Sequence, residues 1–81
     1  METAEIEALL LAHIPNAQVS VEGEGSHFQA TVVSEVFAEM NRVKRQQHVY
    51  AALSKAIAQG DIHALTIRAY TPDERSGLTA K

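Results

Sequence analysis

Residues 18–33 read QVSVEGEGSHFQATVV and contain two alternating segments on either side of a glycine-rich turn. The first segment, residues 18–22, alternates valine with polar neighbours, as a half-buried strand does. In the second, residues 27–33, Phe28 shares one face with the apolar residues that follow it at two-residue spacing. The GEGS sequence at residues 23–26 is typical of a turn. The stretch therefore predicts a β-hairpin.

Two helices are predicted after the hairpin. Ser34 is expected to cap a short helix that runs to about residue 40, and Asn41 a longer helix over residues 42–58. Gly60 is expected to end the longer helix in a left-handed conformation. The apolar stripe of that helix is predicted to comprise Val43, Tyr50, Leu53 and Ile57, widened by Val49 and Ala56. The short connection between the two helices predicts a helix-turn-helix-like unit.

Both ends of the chain add an element. Apolar residues at helical spacing predict a helix over residues 3–13, with Thr3 as its N-cap. Residues 62–70 read as a strand, and the TPDE sequence at residues 71–74 is a capping box that starts a brief last helix. The core face of the strand is expected to carry Leu65, Ile67, Ala69 and, by parity, His63. The order α-β-β-α-α-β-(α) predicts an α+β fold in which helices pack on one face of a three-stranded sheet.

Length and composition limit what this chain can be. Its 81 residues suit one domain over residues 1–81, with an ordered core at about 3–75 and a flexible tail at 76–81. The longest apolar run, residues 8–12, is far shorter than the ~20 residues that span a membrane. Acidic residues stand where a signal peptide would be basic, so a cytoplasmic location is expected.

The absence of cysteine excludes disulfides, a thiol nucleophile and a thiolate cluster site held by this chain alone. Any metal must therefore be bound by His, Asp or Glu, or by ligands that a partner supplies. The net charge of −3 opposes binding to nucleic acid through the overall field. Neither a nucleophile elbow nor a carboxylate pair in an apolar setting is visible, so the chain is not expected to be an enzyme.

Residues 61–72, DIHALTIRAYTP, place His63 at the start of the most hydrophobic strand. One interpretation is a strand-end histidine that the fold half covers. The other is a metal or cluster ligand at the rim of the sheet, because imidazole nitrogen binds iron, copper and zinc well. The residues alone leave both interpretations open.

A second candidate site is the sequence RVKRQQH at residues 42–48. Arg42, Lys44 and Arg45 put three cations within four residues at the start of the long helix, with Gln46 next to them. Backbone amides at a helix start add positive potential, which suits a phosphate, an acidic partner surface or the carboxylates of glutathione. The alternative is a solvated helix face.

Three segments, GSHFQATVVSEVF (25–37), RVKRQQHVYAAL (42–53) and IHALTIRAYTPDE (62–74), resemble the BolA-like family, and within it the short acid-stress branch called IbaG. The resemblance covers about residues 5–75. It implies a topology close to the class II KH fold and a non-enzymatic partner of monothiol glutaredoxins. In that family the heterodimer holds a [2Fe–2S] cluster, for which glutaredoxin and glutathione supply thiolates and the BolA-like protein supplies histidine.

The same resemblance implies particular residues. His63 aligns with the histidine of the family's [VI]HAL motif, and His27 is the candidate in the first loop for a second ligand. Arg75 stands where the family usually has tryptophan. The family's alternative role, a DNA-binding transcriptional regulator, would use Arg42, Lys44, Arg45 and Gln46 of the helix-turn-helix-like unit. The free form is expected to be a monomer or a weak homodimer that pairs through a sheet edge.

Overall fold

A computed structural model describes residues 2–79 as a three-stranded sheet with helices on one face. The elements are α1 (Thr3–His13), β1 (Gln18–Glu24), β2 (His27–Val33), a 3₁₀ helix (Glu35–Glu39), α2 (Arg42–Ala58), β3 (Ala64–Tyr70) and α3 (Pro72–Thr79). The strand order is β1-β2-β3, with β1 antiparallel and β3 parallel to β2. The predicted α+β class, the hairpin and the element order are confirmed. Residues 80 and 81 of the expected tail lie outside the described range, and the chain is helical through Thr79.

The core lies between the sheet and the two longer helices. Its largest fully buried side chains are Phe37, Ile6, Leu10, Ile14, Leu53, Val32 and Val49. Burial of each such side chain stabilises the fold by roughly 1.5–3 kcal/mol before the entropy of ordering is subtracted. As predicted, Leu65, Ile67 and Ala69 of β3 pack against this core. The strand begins at Ala64 and not at the predicted residue 62, so His63, which was expected on its core face, precedes the strand and is exposed. None of the helices in the described part of the chain is long and apolar enough to cross a membrane.

The buried stripe of α2 differs from the predicted one. Val43 and Tyr50 are 63% and 47% exposed, whereas Val49, Leu53 and Ala56 are buried. The predicted stripe was too wide: it included Val49, Leu53 and Ala56, which are buried, but also Tyr50, which about 100° of helix rotation separates from Val49. The position of the rest of the core decides which side of the helix is buried, so the prediction was right for Val49, Leu53 and Ala56 and wrong for Val43 and Tyr50.

The ends of the other elements follow their local signals with two corrections. The side chain of Asn41 accepts a hydrogen bond from the Lys44 amide at 2.9 Å, which confirms the predicted cap of α2. Thr3 is not the N-cap of α1 but its first helical residue. The amide of Glu2 donates to the carboxylate of Glu5 at 3.0 Å, and the N-cap is therefore Glu2, one residue closer to the N-terminus than predicted.

The second correction concerns the hairpin tip, which is shorter than the predicted turn over residues 23–26. Strand β1 continues to Glu24, so only Gly25 and Ser26 form the turn. Gly23 stays in the strand with φ 145°, a value that side-chain-bearing residues rarely adopt. A Cβ at this position would lie 2.8 Å from the Cα of Phe28, so the close approach of the two strands requires glycine.

Candidate functional site

His63 is the last residue before β3, and its backbone is fixed to the hairpin tip. The His63 amide donates to the carbonyl of Ser26 at 2.8 Å, and the Ala64 amide donates to the same oxygen at 3.2 Å. The side chain of His63 is exposed, and neither ring nitrogen forms a hydrogen bond with any residue that the structure describes. The position of the ring is therefore set by backbone contacts that leave both nitrogens available.

The ring of His63 lies beside the end of α2. Its Nε2 atom is 3.9 Å from the point that a Cβ on Gly60 would occupy. Gly60 has φ 83°, the predicted left-handed ending of the helix. This glycine therefore ends α2 and also keeps the space next to the imidazole open.

His27, the second predicted ligand, occupies the same end of the sheet. It is the first residue of β2, and it pairs with Glu24 across the hairpin and with Ala64 in β3. Its side chain is exposed, whereas Phe28, the next residue, is buried. Strand alternation consequently directs His27 to the face away from the helices, while His63 lies on the helix side. The sheet register brings the two backbone positions together, but the two rings are not in contact within the described structure.

The donor set at this end of the sheet suits a shared site. Within residues 2–79, no group of three or more His, Asp and Glu side chains is arranged to hold a metal ion. The sequence contains no cysteine. Exposed imidazole nitrogen fits as one ligand of a [2Fe–2S] cluster, because histidine replaces cysteine on one iron in some such clusters. The remaining ligands would have to come from a second molecule.

Arg45, one of the four predicted contact residues of α2, is used inside the fold. Its Nε donates to the carbonyls of Phe37 and Met40 at 3.0 and 3.1 Å, and Nη1 donates to the carbonyl of Ala69 at 3.4 Å. Nη1 and Nη2 also bind the two carboxylate oxygens of Glu74 at 2.6 and 3.2 Å. The side chain of Arg45 is only 16% exposed. It therefore connects the 3₁₀ helix, β3 and α3.

The other three residues of this segment divide into two groups. The side-chain amide of Gln46 donates to the carbonyl of Ile67 at 2.9 Å, which occupies a hydrogen-bond acceptor of the edge strand β3. Arg42 and Lys44 are exposed, and their side chains make no hydrogen bond or ion pair with a described residue. Of the predicted binding surface, Arg42 and Lys44 are thus the cations that remain available to a ligand.

Glu74 combines a local role with a distant one. Its carboxylate accepts a hydrogen bond from the Thr71 amide at 2.9 Å, and its own amide donates to the Thr71 hydroxyl at 3.2 Å, which confirms the predicted capping box. The hydrogen bond from Arg45, followed by that from Thr71, lowers the pKa of Glu74 below its ordinary value of 4.5. The capping box was visible in the sequence, whereas the pairing with Arg45 joins residues 29 positions apart and has no local signal.

Comparison with known proteins gives consistent matches over nearly the whole chain. The profile of the family described as "BolA-like protein" matches residues 3–74. The chain is 49% identical over 74 residues to "Acid stress protein IbaG" of Escherichia coli (strain K12), covering 91% of this chain and 88% of that protein. It is also 36% identical over 52 residues to "DNA-binding transcriptional regulator BolA" of Haemophilus influenzae, covering 64% of this chain and 50% of that protein.

Structural similarity leads to the same group. The structure of a bolA protein homologue from Coxiella burnetii matches with a TM-score of 0.82 and 36% sequence identity, covering 94% of this chain and 97% of that chain. The chain belongs to the BolA-like family.

Proposed function

We propose that this chain is a non-enzymatic partner of a monothiol glutaredoxin and shares a [2Fe–2S] cluster with it through His63, in iron–sulfur trafficking, iron homeostasis and the stress response. The observation that carries the proposal is the state of His63. Its ring is exposed and makes no hydrogen bond with a described residue, although its backbone is fixed by Ser26. The E. coli relative, named an acid stress protein, supports the link to stress.

Ligand chemistry explains why a partner is needed. Because the chain has no cysteine, the thiolates that hold most of the cluster would come from the glutaredoxin and its glutathione. The role of this chain would be to supply imidazole nitrogen to one iron. His63 is the primary candidate, since its exposed ring lies beside the end of α2, where Gly60 places no side chain against it. His27 is the candidate for a second ligand, but its side chain leaves the sheet on the other face, so both rings would bind together only after a rearrangement of the hairpin tip.

The test is anaerobic co-expression with a monothiol glutaredoxin, followed by visible absorbance, visible circular dichroism, and iron and sulfide analysis of the purified complex. We expect His63→Ala to remove or reshape the visible dichroism of the mixed complex. His27→Ala is expected to have a smaller effect. Gln47→Ala is the control, because it removes an exposed polar side chain of α2 at a position distant in the chain from both His63 and His27. A His63→Ala complex with the spectrum and iron content of the unmodified complex would disprove ligation by His63.

The second candidate function is regulation of transcription through DNA binding, which the name of the Haemophilus influenzae relative supports. The exposed side chains of Arg42 and Lys44 at the start of α2 are the residues that would contact phosphate. Two such contacts predict a weak salt dependence, with log Kobs falling by about 1.8 per tenfold increase in salt. Fluorescence anisotropy with duplex DNA, comparing the unmodified chain with R42Q/K44Q, measures this slope. Binding that does not change on this double substitution would remove the candidate.

A further inference from the structure

A second pair of histidines lies far from the sheet edge. His13 is the last residue of α1 and is exposed, and His48 is half-buried on α2. Their ring centroids are 4.9 Å apart, and the ring planes make an angle of 42°. His48 also packs edge-on against the buried ring of Phe37, at 6.3 Å between centroids. Packing against Phe37 therefore limits the orientations of the His48 ring, while His13 approaches it from the neighbouring helix.

The centroid separation can be compared with the one that a shared metal ion requires. A metal–nitrogen bond of ~2.0–2.1 Å, with about 1.2 Å from nitrogen to ring centroid, puts the metal roughly 3.2 Å from each centroid. For nitrogen–metal–nitrogen angles between about 90° and 109°, the two centroids are then roughly 4.6–5.3 Å apart. The observed 4.9 Å lies inside this interval.

The ring nitrogens of this pair are also available. Neither His13 nor His48 forms a side-chain hydrogen bond or an ion pair with another residue in the described part of the chain. No third His, Asp or Glu among the described residues completes a three-ligand group with them. A metal held by the two imidazoles would therefore keep water or another exchangeable ligand at its remaining positions.

The pair is separate from the site at the sheet edge. His48 and Ala58, the last residue of α2, are ten positions apart, and the helical rise places them roughly 15 Å apart along the axis of α2, with Gly60 just beyond that end. His63 lies beside Gly60. The two sets of histidines can therefore be tested independently of each other.

We propose that His13 and His48 form an open two-histidine site for a divalent transition metal of the Zn²⁺ or Cu²⁺ class, which crosslinks the end of α1 to α2. Neutral imidazole is a preferred ligand of both ions. An ion that binds the folded arrangement more tightly than the unfolded chain also stabilises the contact between the helices. The site does not depend on the proposed cluster, because it uses neither His63 nor His27.

The experiment uses the H27Q/H63Q double variant, in which the sheet-edge histidines are absent and His13 and His48 remain. ZnCl₂ is titrated while binding is followed by calorimetry and by NMR of the histidine ring protons, and CuSO₄ is used for electron paramagnetic resonance. We expect one ion per chain, nitrogen hyperfine structure from two imidazoles, and a Tm rise of about 5–10 °C at a free metal concentration ten times Kd. Addition of H13Q to this background is expected to weaken binding at least tenfold and to abolish the Tm rise.

Two results would overturn the proposal. One is metal binding that H13Q leaves unchanged, which would assign the 4.9 Å contact to ring packing alone. The other is the loss of all metal binding in H27Q/H63Q, which would assign binding to the sheet edge. H13Q is the deciding variant, because His13 is exposed at a helix end, whereas H48Q also alters the contact with Phe37.

Discussion

Replacement of Arg45 by methionine tests whether this cation holds the fold together or is available to a ligand. The substitution keeps an unbranched chain of similar length and removes the guanidinium. Three backbone carbonyls, those of Phe37, Met40 and Ala69, then lose their bonds from Arg45. Glu74 loses its partner on α2 as well.

The magnitude follows from these contacts. A hydrogen bond contributes ~0.5–1.5 kcal/mol net, and more when one group is charged, but the one Nε hydrogen of Arg45 is shared between the carbonyls of Phe37 and Met40. The bonds to the three partly buried carbonyls therefore amount to about 2–4 kcal/mol. The 3.4 Å bond to Ala69 is the weakest of the three, which favours the lower half of this range. For a domain of this size, such a loss lowers Tm by roughly 10–20 °C. Arg45→Lys is expected to recover less than half of it, because an ammonium group cannot reproduce the planar fork.

The assay is urea denaturation followed by far-ultraviolet circular dichroism, with thermal melts in parallel. The matched control is Arg42→Met, which removes a cation from the same helix turn but from an exposed side chain. We expect that control to change the free energy of unfolding by less than about 0.5 kcal/mol. Equal stabilities for Arg45→Met and Arg42→Met would refute the structural role of Arg45.

Three further predictions follow from individual contacts. Because the pKa of Glu74 is lowered in the fold, the unfolded chain binds more protons in the range just below pH 4.5. The contribution of the Glu74 carboxylate to the free energy of unfolding is therefore fully present above that range and is lost as pH falls through the lowered pKa. In urea titrations from pH 6 to pH 3, the difference in free energy of unfolding between the unmodified chain and E74Q should become smaller as pH falls. Gly23→Ala is expected to unfold the hairpin tip or to lower Tm by more than about 10 °C in thermal melts, because the added Cβ would collide with the partner strand. Gly25→Ala is the control, since no atom of a non-adjacent residue lies within 4 Å of a Cβ at that position. Equal Tm values for the two variants would contradict the strand contact at Gly23. Asn41→Ala should cost about 1 kcal/mol in urea denaturation through loss of the cap on α2, whereas Asn41→Asp should be nearly neutral, and no loss for alanine would show that the cap is not needed.

Local chemistry explains which parts of the fold could be predicted. The bounds of α2 and β2 agree with the prediction, because a cap at Asn41, a left-handed Gly60 and the strand alternation that includes Phe28 are each readable within a few residues. The hairpin pairing was predictable for the same reason. The first turn of α1 was not, because Thr3 is the favoured cap by residue type, whereas the helix is capped at Glu2, whose amide bonds to the Glu5 carboxylate.

Contacts between distant residues explain what could not be predicted. The predicted stripe of α2 contained both Val49 and Tyr50, and which of the two is buried depends on where the rest of the core lies, which the sequence of one helix does not contain. The role of Arg45 depends on Glu74, which is 29 positions away. A run of cations therefore resembles a binding surface in sequence, although part of it is occupied in the fold. The roles of His63 and His27 as ligands stay predictions.

The way in which His63 is held makes its ligand role directly testable. Two amides, of His63 and Ala64, fix this segment by donating to the Ser26 carbonyl, and any residue except proline can supply an amide at these positions. The ring itself is exposed and makes no hydrogen bond with a described residue, so its removal in His63→Ala should change the free energy of unfolding by no more than about 0.5 kcal/mol. Loss of the cluster spectrum in a variant of unchanged stability would then reflect the missing nitrogen and not a damaged fold. If His63→Ala instead unfolds the hairpin tip, the ring itself holds the fold together. Backbone contacts alone would then not be what fixes this segment, and a lost cluster spectrum could not be assigned to the missing nitrogen.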